Sequence, residues 1–534
     1  MRLARCESLN QRRIRMSNSG SSHSPLNTPR PRLLRKVRCW LKVILHGSLL
    51  LSCGAHAGDI SDLREAVRNT ILSNPEIQAA YREFLSAEQQ VLVAKGGFLP
   101  RIDLEAGAGV ERINDPRFAS AEFDRERASI ALEQMLFDGY FTRNEVRRLN
   151  HAARTRLYEV QSTAQETARE VVRAYLDVLR NRDFVALSEE NYATHRVIFD
   201  QIEQRVNAGV GRRVDLDQAA GRLALSESNL LTDVTNLHDV SRRYQRIVGE
   251  TPASELDEPE FSRDALPVNV DTAVGVAYEE NPLMHAAIAN WWSSRAALDA
   301  AKAKFMPRLD LRGRQDVWRN RDDISGRYEE GALELVMSVN VFNGGSDIAD
   351  RRRLAESSLA ALDVRNKTCR DLRQEVSIAY NDTKRLEEQK TYLDRHQRAI
   401  ERAREAYRRQ FDIGQRTLLD ILDTENEYYE ARRAYRDAER NHSIAYSRVL
   451  AGMGTLISTL QTADSMPAMT PPKAYAEEVA DLGAACPEDV VQLPVIDKEA
   501  IFEAAKGKSG FVFPTAPAAP TEDGAAPAQP ASKW

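Results

Sequence analysis

Cysteine is scarce, five in 534 residues with no Cys-x-x-Cys, so neither a disulfide framework nor a cysteine zinc site organises the chain. The nine histidines are scattered and never form His-Glu-x-x-His, which leaves a hydrolytic metal centre without ligands. Gly107-Ala-Gly109 lies in alternating sequence and not at a helix entry, so it is no dinucleotide loop. No catalytic constellation, metal site or cofactor motif emerges. A net charge of −5 gives no basic surface for nucleic acid. The arginines are dispersed along helical stretches, as on solvated faces with i,i+4 partners. Long apolar runs are missing too: the longest, Val43 to Leu51, is too short to cross a bilayer as a helix. Proline is absent from Gly345 to Phe411. What remains, 42% hydrophobic and 29% charged, is the composition of a folded chain long enough for several domains.

The N-terminus carries export signals. Arg30, Arg32, Arg35, Lys36, Arg38 and Lys42 precede the Val43–Leu51 run, which ends in Ala55-His56-Ala57. This is the charged, apolar and small-x-small order of a secretory leader, with residues before Met16 adding only polar, basic sequence. Leu50-Leu51-Ser52-Cys53-Gly54 is a loose match to a lipoprotein box that would acylate Cys53, an alternative to cleavage after Ala57. In the second case only Cys369 and Cys486 remain, one in a heptad-rich helix and one in a tail. No structural disulfide is expected between them.

The chain contains its own copy. Asn74-Pro75 returns as Asn281-Pro282, and the stretch Phe98 to Leu104 returns as Phe305 to Leu311, both at an offset of 207 residues. Phe137-Asp-Gly139, Ala174-Tyr175, Gly209 and Asp215 return as Phe342-Asn-Gly344, Ala379-Tyr380, Gly414 and Asp420 at an offset of 205. In each copy a helical stretch ends at Pro100 or Pro307, because proline cannot continue a helix. The period then becomes two. Ile102, Leu104, Ala106, Ala108 and Val110 share one face against Arg101, Asp103, Glu105 and Glu111. After a polar loop (114–125), Ala128, Ile130, Leu132 and Leu136 resume it. In the second copy Leu309, Leu311 and Val317 oppose Arg308, Asp310, Arg312, Arg314 and Asp316. Leu333, Leu335, Met337, Val339 and Val341 likewise oppose Glu334, Ser338 and Asn340. A charged face is tolerable only in water, so strands that are apolar outside and charged inside predict a transmembrane β-barrel. Gly139, Gly344 and Gly345 turn each strand pair back into helix. Phe98, Phe137, Phe305 and Phe342 mark the strand ends, as an interfacial aromatic girdle or as ordinary junction packing.

Leu372, Ala379, Leu386, Leu393, Ile400 and Tyr407 recur every seven residues, the seam of a helix lying on other helices. From Gly345 to Phe411 it would run roughly 100 Å at 1.5 Å per residue. Gly414 supplies a residue able to leave the helix with positive φ, and Thr417 is placed to cap the returning one. Asp420 and Asp423 then lie three apart on one face. Gly209 occupies the equivalent turn of the first copy.

The Asn-Pro pairs, the Phe-x-Pro strand entries, Phe342-Asn-Gly-Gly345 and Gly414-Gln-Arg-Thr-Leu-Leu-Asp-Ile-Leu-Asp423 followed by Asn426-Glu resemble the TolC family of outer-membrane export channels, its type I secretion branch most of all. The resemblance covers about residues 59 to 457. It implies a mainly α fold with a transmembrane β-barrel, in which long antiparallel coiled-coil helices form a periplasmic tunnel and each subunit gives four strands to a shared trimeric barrel. It implies a homotrimer in outer-membrane lipid, partnered by a periplasmic membrane-fusion adaptor and an inner-membrane ABC or other efflux transporter. It places the hairpin turns at a periplasmic gate, with Asp420 and Asp423 as an acidic constriction and Arg416 paired with Asp215. Phe411, where a relative has tyrosine, offers no hydroxyl there. Four strands cannot close a barrel, and an open edge in lipid leaves backbone groups unpaired, so the residues alone also require oligomerisation. The expected layout is a leader (1–57), a first repeat (58–265), a second repeat (266–459) and a Pro/Ala-rich, largely disordered tail (460–534), of which Glu477 to Ala505 is the part able to pack on the tunnel. Protein export leads. Multidrug or metal efflux is the alternative channel function, and a periplasmic coiled-coil scaffold without a pore is the alternative of another class.

Overall fold

The computed structural model describes residues 61–114, 121–261, 265–321, 324–465, 486, 490–491 and 496–509, all within the unit Asp59–Trp534. The leader, Cys53 and most of the Pro/Ala-rich tail lie outside the described residues.

One sequence of elements occurs twice. Helices α1 (Leu63–Ser73) and α2 (Pro75–Gly96) lead into strands β1 (Arg101–Ile113) and β2 (Ala121–Phe137), then α3 (Phe141–Asn207) and α4 (Arg213–Val248). The second series is α5 (Val270–Glu280), α6 (Pro282–Ala301), β3 (Arg308–Arg321), β4 (Ile324–Ser338), α7 (Ser346–Asp412) and α8 (Leu418–Met453). Both long helices have 67 residues and both returning helices have 36. Short α9 (Leu456–Thr459) and α10 (Lys498–Ser509) follow.

The repeated Asn-Pro has a local cause. Asn74 ends α1 and caps α2, its side chain accepting the Glu76 N–H, while Pro75 fills the first turn where no backbone donor is needed. Asn281 and Pro282 do the same between α5 and α6, with Leu283 as donor. Ala-Tyr also repeats for a reason. Tyr175 donates its hydroxyl proton to the carbonyls of Ser61 and Asp257, and Tyr380 donates to those of Pro267 and Val268, so each tyrosine ties a connecting segment to its long helix. Around them lies the main core, which gathers Val67, Val171, Val172, Leu176, Val274, Met284, Leu372, Val376, Leu450 and Leu456 from seven of the helices. The heptad positions of α7 are buried or half-buried from Leu372 to Tyr407, as a seam requires.

The four strands form one antiparallel sheet in the order β1-β2-β3-β4, so the two copies join side by side at β2 and β3. The register keeps the faces apart. Ile102 pairs with Leu132, Leu104 with Ile130 and Leu311 with Leu335, and on this face Leu104 is 78% and Leu333 75% exposed. The opposite face is a lattice of ion pairs: Arg125 to Glu111 (2.8 Å), Arg314 to Asp316 (2.9 Å), Arg308 to Asp310 (2.8 Å) and Arg312 to Glu133 (3.4 Å). Asp310 and Asp316 are each 1% exposed beneath those arginines.

Three expectations need correction. β4 stops at Ser338, opposite Arg308, because Pro307 has no N–H to extend the ladder. Val339 and Val341 therefore lie beyond the strand, and Asn340 and Asn343 donate to Asp347 in the first turn of α7. β2 begins at Ala121, inside the expected loop: Glu122, Asp124 and Glu126 pair with Arg112, Val110 and Ala108. Cys369 and Cys486 are joined by a disulfide, with Cys486 fully buried in the main core and the Cys369 sulfur 4.0 Å from that of Met284. A separation of 117 residues gave no hint that the tail returns to α7. Beyond it, Lys498 of α10 bonds Glu388 (3.2 Å) and Tyr392 on α7.

Candidate functional site: the paired hairpin ends

The junction residues come first. Pro100 and Pro307 immediately precede β1 and β3. Gly139 has φ +67°, and a Cβ there would meet that of Met306 at 2.7 Å, so close approach as well as backbone conformation demands glycine. Gly344 (φ +59°) and Gly345 (φ +81°) make the equivalent turn into α7.

At the far ends, α3 turns into α4 at Gly209 (φ +77°) and α7 into α8 at Gly414 (φ +76°). The turns match in backbone but not in chemistry. Arg212, which caps α4, makes no side-chain capping bond. Thr417 and Asp420 form a capping box on α8: the Asp420 carboxylate accepts the Thr417 N–H (3.0 Å) and hydroxyl (2.8 Å), while the Thr417 hydroxyl accepts the Asp420 N–H. The bond from the Thr417 N–H, then that from its hydroxyl, holds the Asp420 carboxyl below its ordinary pKa.

Asp423 points elsewhere, accepting from Arg222 of α4 at 2.6 Å. The expected pair of Arg416 with Asp215 does not form within the chain. Arg416 lies 4.2 Å over the Tyr407 ring and donates to Gln410 (3.0 Å), while Asp215 holds Arg212 at 3.2 Å, one turn away. Local partners three to nine residues off outcompete a distant one. The two hairpins instead meet through Arg222–Asp423, through Arg205 5.6 Å over the Phe411 ring, and through a small apolar cluster of Ile202, Ala219, Leu418 and Leu422. An open groove of about 440 Å³, lined by Val197, Ile198, Phe411 and Ile421 among others, runs beside that cluster.

Sequence reasoning missed two buried carboxylates. Glu425 of α8, 4% exposed, accepts from Arg404 (2.7 Å) and Arg408 (2.6 Å) of α7. Asp233 of α4, 3% exposed, accepts from Ser188 of α3 and twice from Arg433 of α8 (2.5 and 3.2 Å). Tyr429 completes that group, its hydroxyl 2.8 Å from that of Ser188. The signal was present: Asp233 falls in the alternating three-and-four spacing of Ala219, Leu223, Ser226, Leu230 and Leu237, and Glu425 in that of Leu418, Leu422 and Tyr429. An acid at a seam position has to be paired.

The sequence model of the outer membrane efflux protein family matches residues 66–250 and 273–455, one match per copy. The outer membrane efflux protein BepC of Brucella suis is 24% identical over 78% of this chain and 89% of its own. The alkaline protease secretion protein AprF of Pseudomonas aeruginosa is 22% identical over 79% and 89%, and the outer membrane protein TolC of Escherichia coli 22% over 82% and 92%. Among solved structures, the outer-membrane channel OprN superposes with a TM-score of 0.67 at 20% identity, covering 74% of this chain and 90% of its own. The open state of the Neisseria gonorrhoeae MtrE outer membrane channel gives 0.65 at 16%, over 74% and 89%. The duplicated fold, the two-faced sheet and the twofold family match agree: the chain belongs to the outer membrane efflux protein family, and is an outer-membrane export channel with a periplasmic helical tunnel, not an enzyme.

Proposed function

We propose that three copies of this chain form the outer-membrane exit of a type I protein secretion system, served by a periplasmic adaptor and an inner-membrane ABC transporter. The observation that carries the channel is the sheet: from the Pro100 and Pro307 end to Val110 and Val317 one face is mostly apolar and open, the other is a charged lattice, and among the described residues both edge strands lack a further strand partner. Twelve strands from three subunits close that sheet with the charges inward. What supports a protein cargo is the stretch from Gly414 to Asp423, together with relatives named for protease secretion, AprF and PrtF of Dickeya chrysanthemi. Efflux of small molecules is the second reading, favoured by the 24% identity to BepC.

In this reading the hairpin ends are the periplasmic gate. Three copies of Asp420 and Asp423 ring the constriction, while Arg416 keeps to Tyr407 and Gln410 and Asp215 to Arg212. Both acids also have partners in their own chain, Thr417 and Arg222, so the gate borrows carboxylates that already hold the helices. Deleting the gene and comparing secreted proteins with drug susceptibility tests the cargo. Loss of one or more secreted proteins with unchanged susceptibility supports secretion; hypersensitivity with an intact secretome replaces it with efflux.

A further inference from the structure

α4 and α8 run side by side away from the turns, and the ties between them change character along the way. Nearest the turns, Arg222–Asp423 is a single exposed pair, with side chains 32% and 55% accessible. Ten residues further along α8, about 15 Å at the helical rise, the next tie is of another kind. Asp233 is buried, and the Arg433 guanidinium grips it with both terminal nitrogens while stacking 4.1 Å over Phe184 of α3. Ser188 and Tyr429 fill the remaining hydrogen-bonding positions, so α3, α4 and α8 are fixed at one level. Further on, α8 is tied to α3 and to the segment after α4: Arg440, 3% exposed, reaches Asp183 (3.0 Å) and Glu258, and Arg180 of α3 reaches Asp437 (3.2 Å) and Asn441 (3.2 Å). α7 moves with α8, since Glu425 clamps Arg404 and Arg408 to it.

An exposed pair is a weak, salt-screened tie. A buried carboxylate with every partner in place is not: separating it strands charge away from water, a cost far above that of a surface pair. The apolar cluster of Ile202, Ala219, Leu418 and Leu422 and the adjoining groove lie on the turn side of Asp233. Between the two hairpins, the exposed Arg222–Asp423 tie and the loose packing therefore lie on one side of this level, and the buried Arg440–Asp183 tie lies on the other. The cluster is also one-sided, since the second copy has Ala438 where the first has Asp233.

We infer that the Asp233 cluster is the stop of the gate: the α7/α8 end parts from α3/α4 only up to the level of Ser188, Asp233, Tyr429 and Arg433, which stay joined when the tunnel opens. Asp233 is then a positioning residue, setting how far the opening travels without touching cargo. This inference rests on the tunnel reading above.

The test uses cysteine pairs in the full-length trimer, joined in the cell by a short bis-maleimide that spans the gap left by an arginine–carboxylate pair. Cross-linking Arg222→Cys to Asp423→Cys should stop export, because that level must part. Cross-linking Arg180→Cys to Asp437→Cys, beyond the stop, should leave export at the wild-type rate. Export blocked by both cross-links leaves the gate standing and overturns the stop. Export surviving the first cross-link overturns the gate reading and the stop with it. Asp233→Asn supplies a second measurement. With the trimer still intact on a gel and the gate opened by Arg222→Ala, it should raise single-channel conductance about twofold over Arg222→Ala alone, because the opening then travels past this level, whereas a tie made in both states does not bias the closed one. Conductance unchanged by Asp233→Asn in the intact, opened trimer overturns the assignment of Asp233.

Discussion

Ile130 and Ala131 are neighbours in β2, near mid-strand, and face opposite ways. Ile130 is paired with Leu104 and Gln315 on the apolar face. Ala131 lies between Asp103 and Arg314 on the charged one. Replacing each in turn by arginine holds composition, strand and depth constant and changes only the face. On the lipid side, arginine near the bilayer midplane costs about 2–4 kcal/mol. A trimer carries three copies, so Ile130→Arg costs about 6–12 kcal/mol, comparable with the whole stability of an ordinary domain. On the inner side the new guanidinium meets the Asp103 carboxylate on one neighbouring strand, the Arg314 guanidinium on the other and water, so attraction and repulsion largely offset and Ala131→Arg should cost at most about 1 kcal/mol. Outer-membrane fractions run unboiled on a denaturing gel should then show no trimer for Ile130→Arg and a normal one for Ala131→Arg. Equal loss in both, or a normal trimer in both, would refute the assignment of faces and with it the barrel.

The buried ion pairs make further predictions. Glu425→Leu leaves Arg404 and Arg408 without their shared carboxylate, so thermal unfolding should fall by an amount equivalent to about 3–5 kcal/mol, whereas Glu427→Leu, on the exposed face, should be nearly silent. His195 of α3 is buried, and desolvation lowers its pKa, with Arg222 adding to the effect and Glu425 opposing it. Its folded-state pKa lies below that of the unfolded chain, so the folded protein binds the proton less well. Stability is complete above about pH 6.5 and declines as pH falls from there toward the depressed value. Denaturant midpoints measured from pH 8 to 5 should show a decline that His195→Gln reduces. Reducing Cys369–Cys486 should free α10, seen as faster proteolysis within Lys498–Ser509 with the hairpins still protected.

Local chemistry was legible in the sequence and long-range pairing was not. Asn-Pro, the prolines before β1 and β3, the alternation of Ile102 to Val110 and the turn glycines each act through a few neighbouring residues, so a string of letters carries them. Thr417 was legible as a cap, yet Asp420 read as a gate acid without its role in the same capping box, because one carboxylate can serve either purpose. Arg416 has many possible acids within reach of a sequence argument, and only packing decided for Tyr407 and Gln410. The Cys369–Cys486 bond depends on the course of a tail with no periodicity. Asp233 and Glu425 were visible as acids on a seam, but the arginines that satisfy them lie 200 and 17 to 21 residues away.

The matching helix lengths of the two copies bear on where the chain tolerates change. The copies differ in their strand hairpins, with seven residues (114–120) between pairing ends in one and two (322–323) in the other, yet both helical hairpins hold to 67 and 36 residues. A loop outside the sheet absorbs an insertion without consequence. A single residue added within α3 or α7 would rotate everything beyond it by about 100° and shift it by about 1.5 Å. Asp233 would face away from Arg433, and the two turns would no longer end level. Surface tags, epitopes and foreign peptides therefore belong between β1 and β2. In the long helices even a one-residue deletion should be harsher than most substitutions, because the tunnel is gauged by residue count.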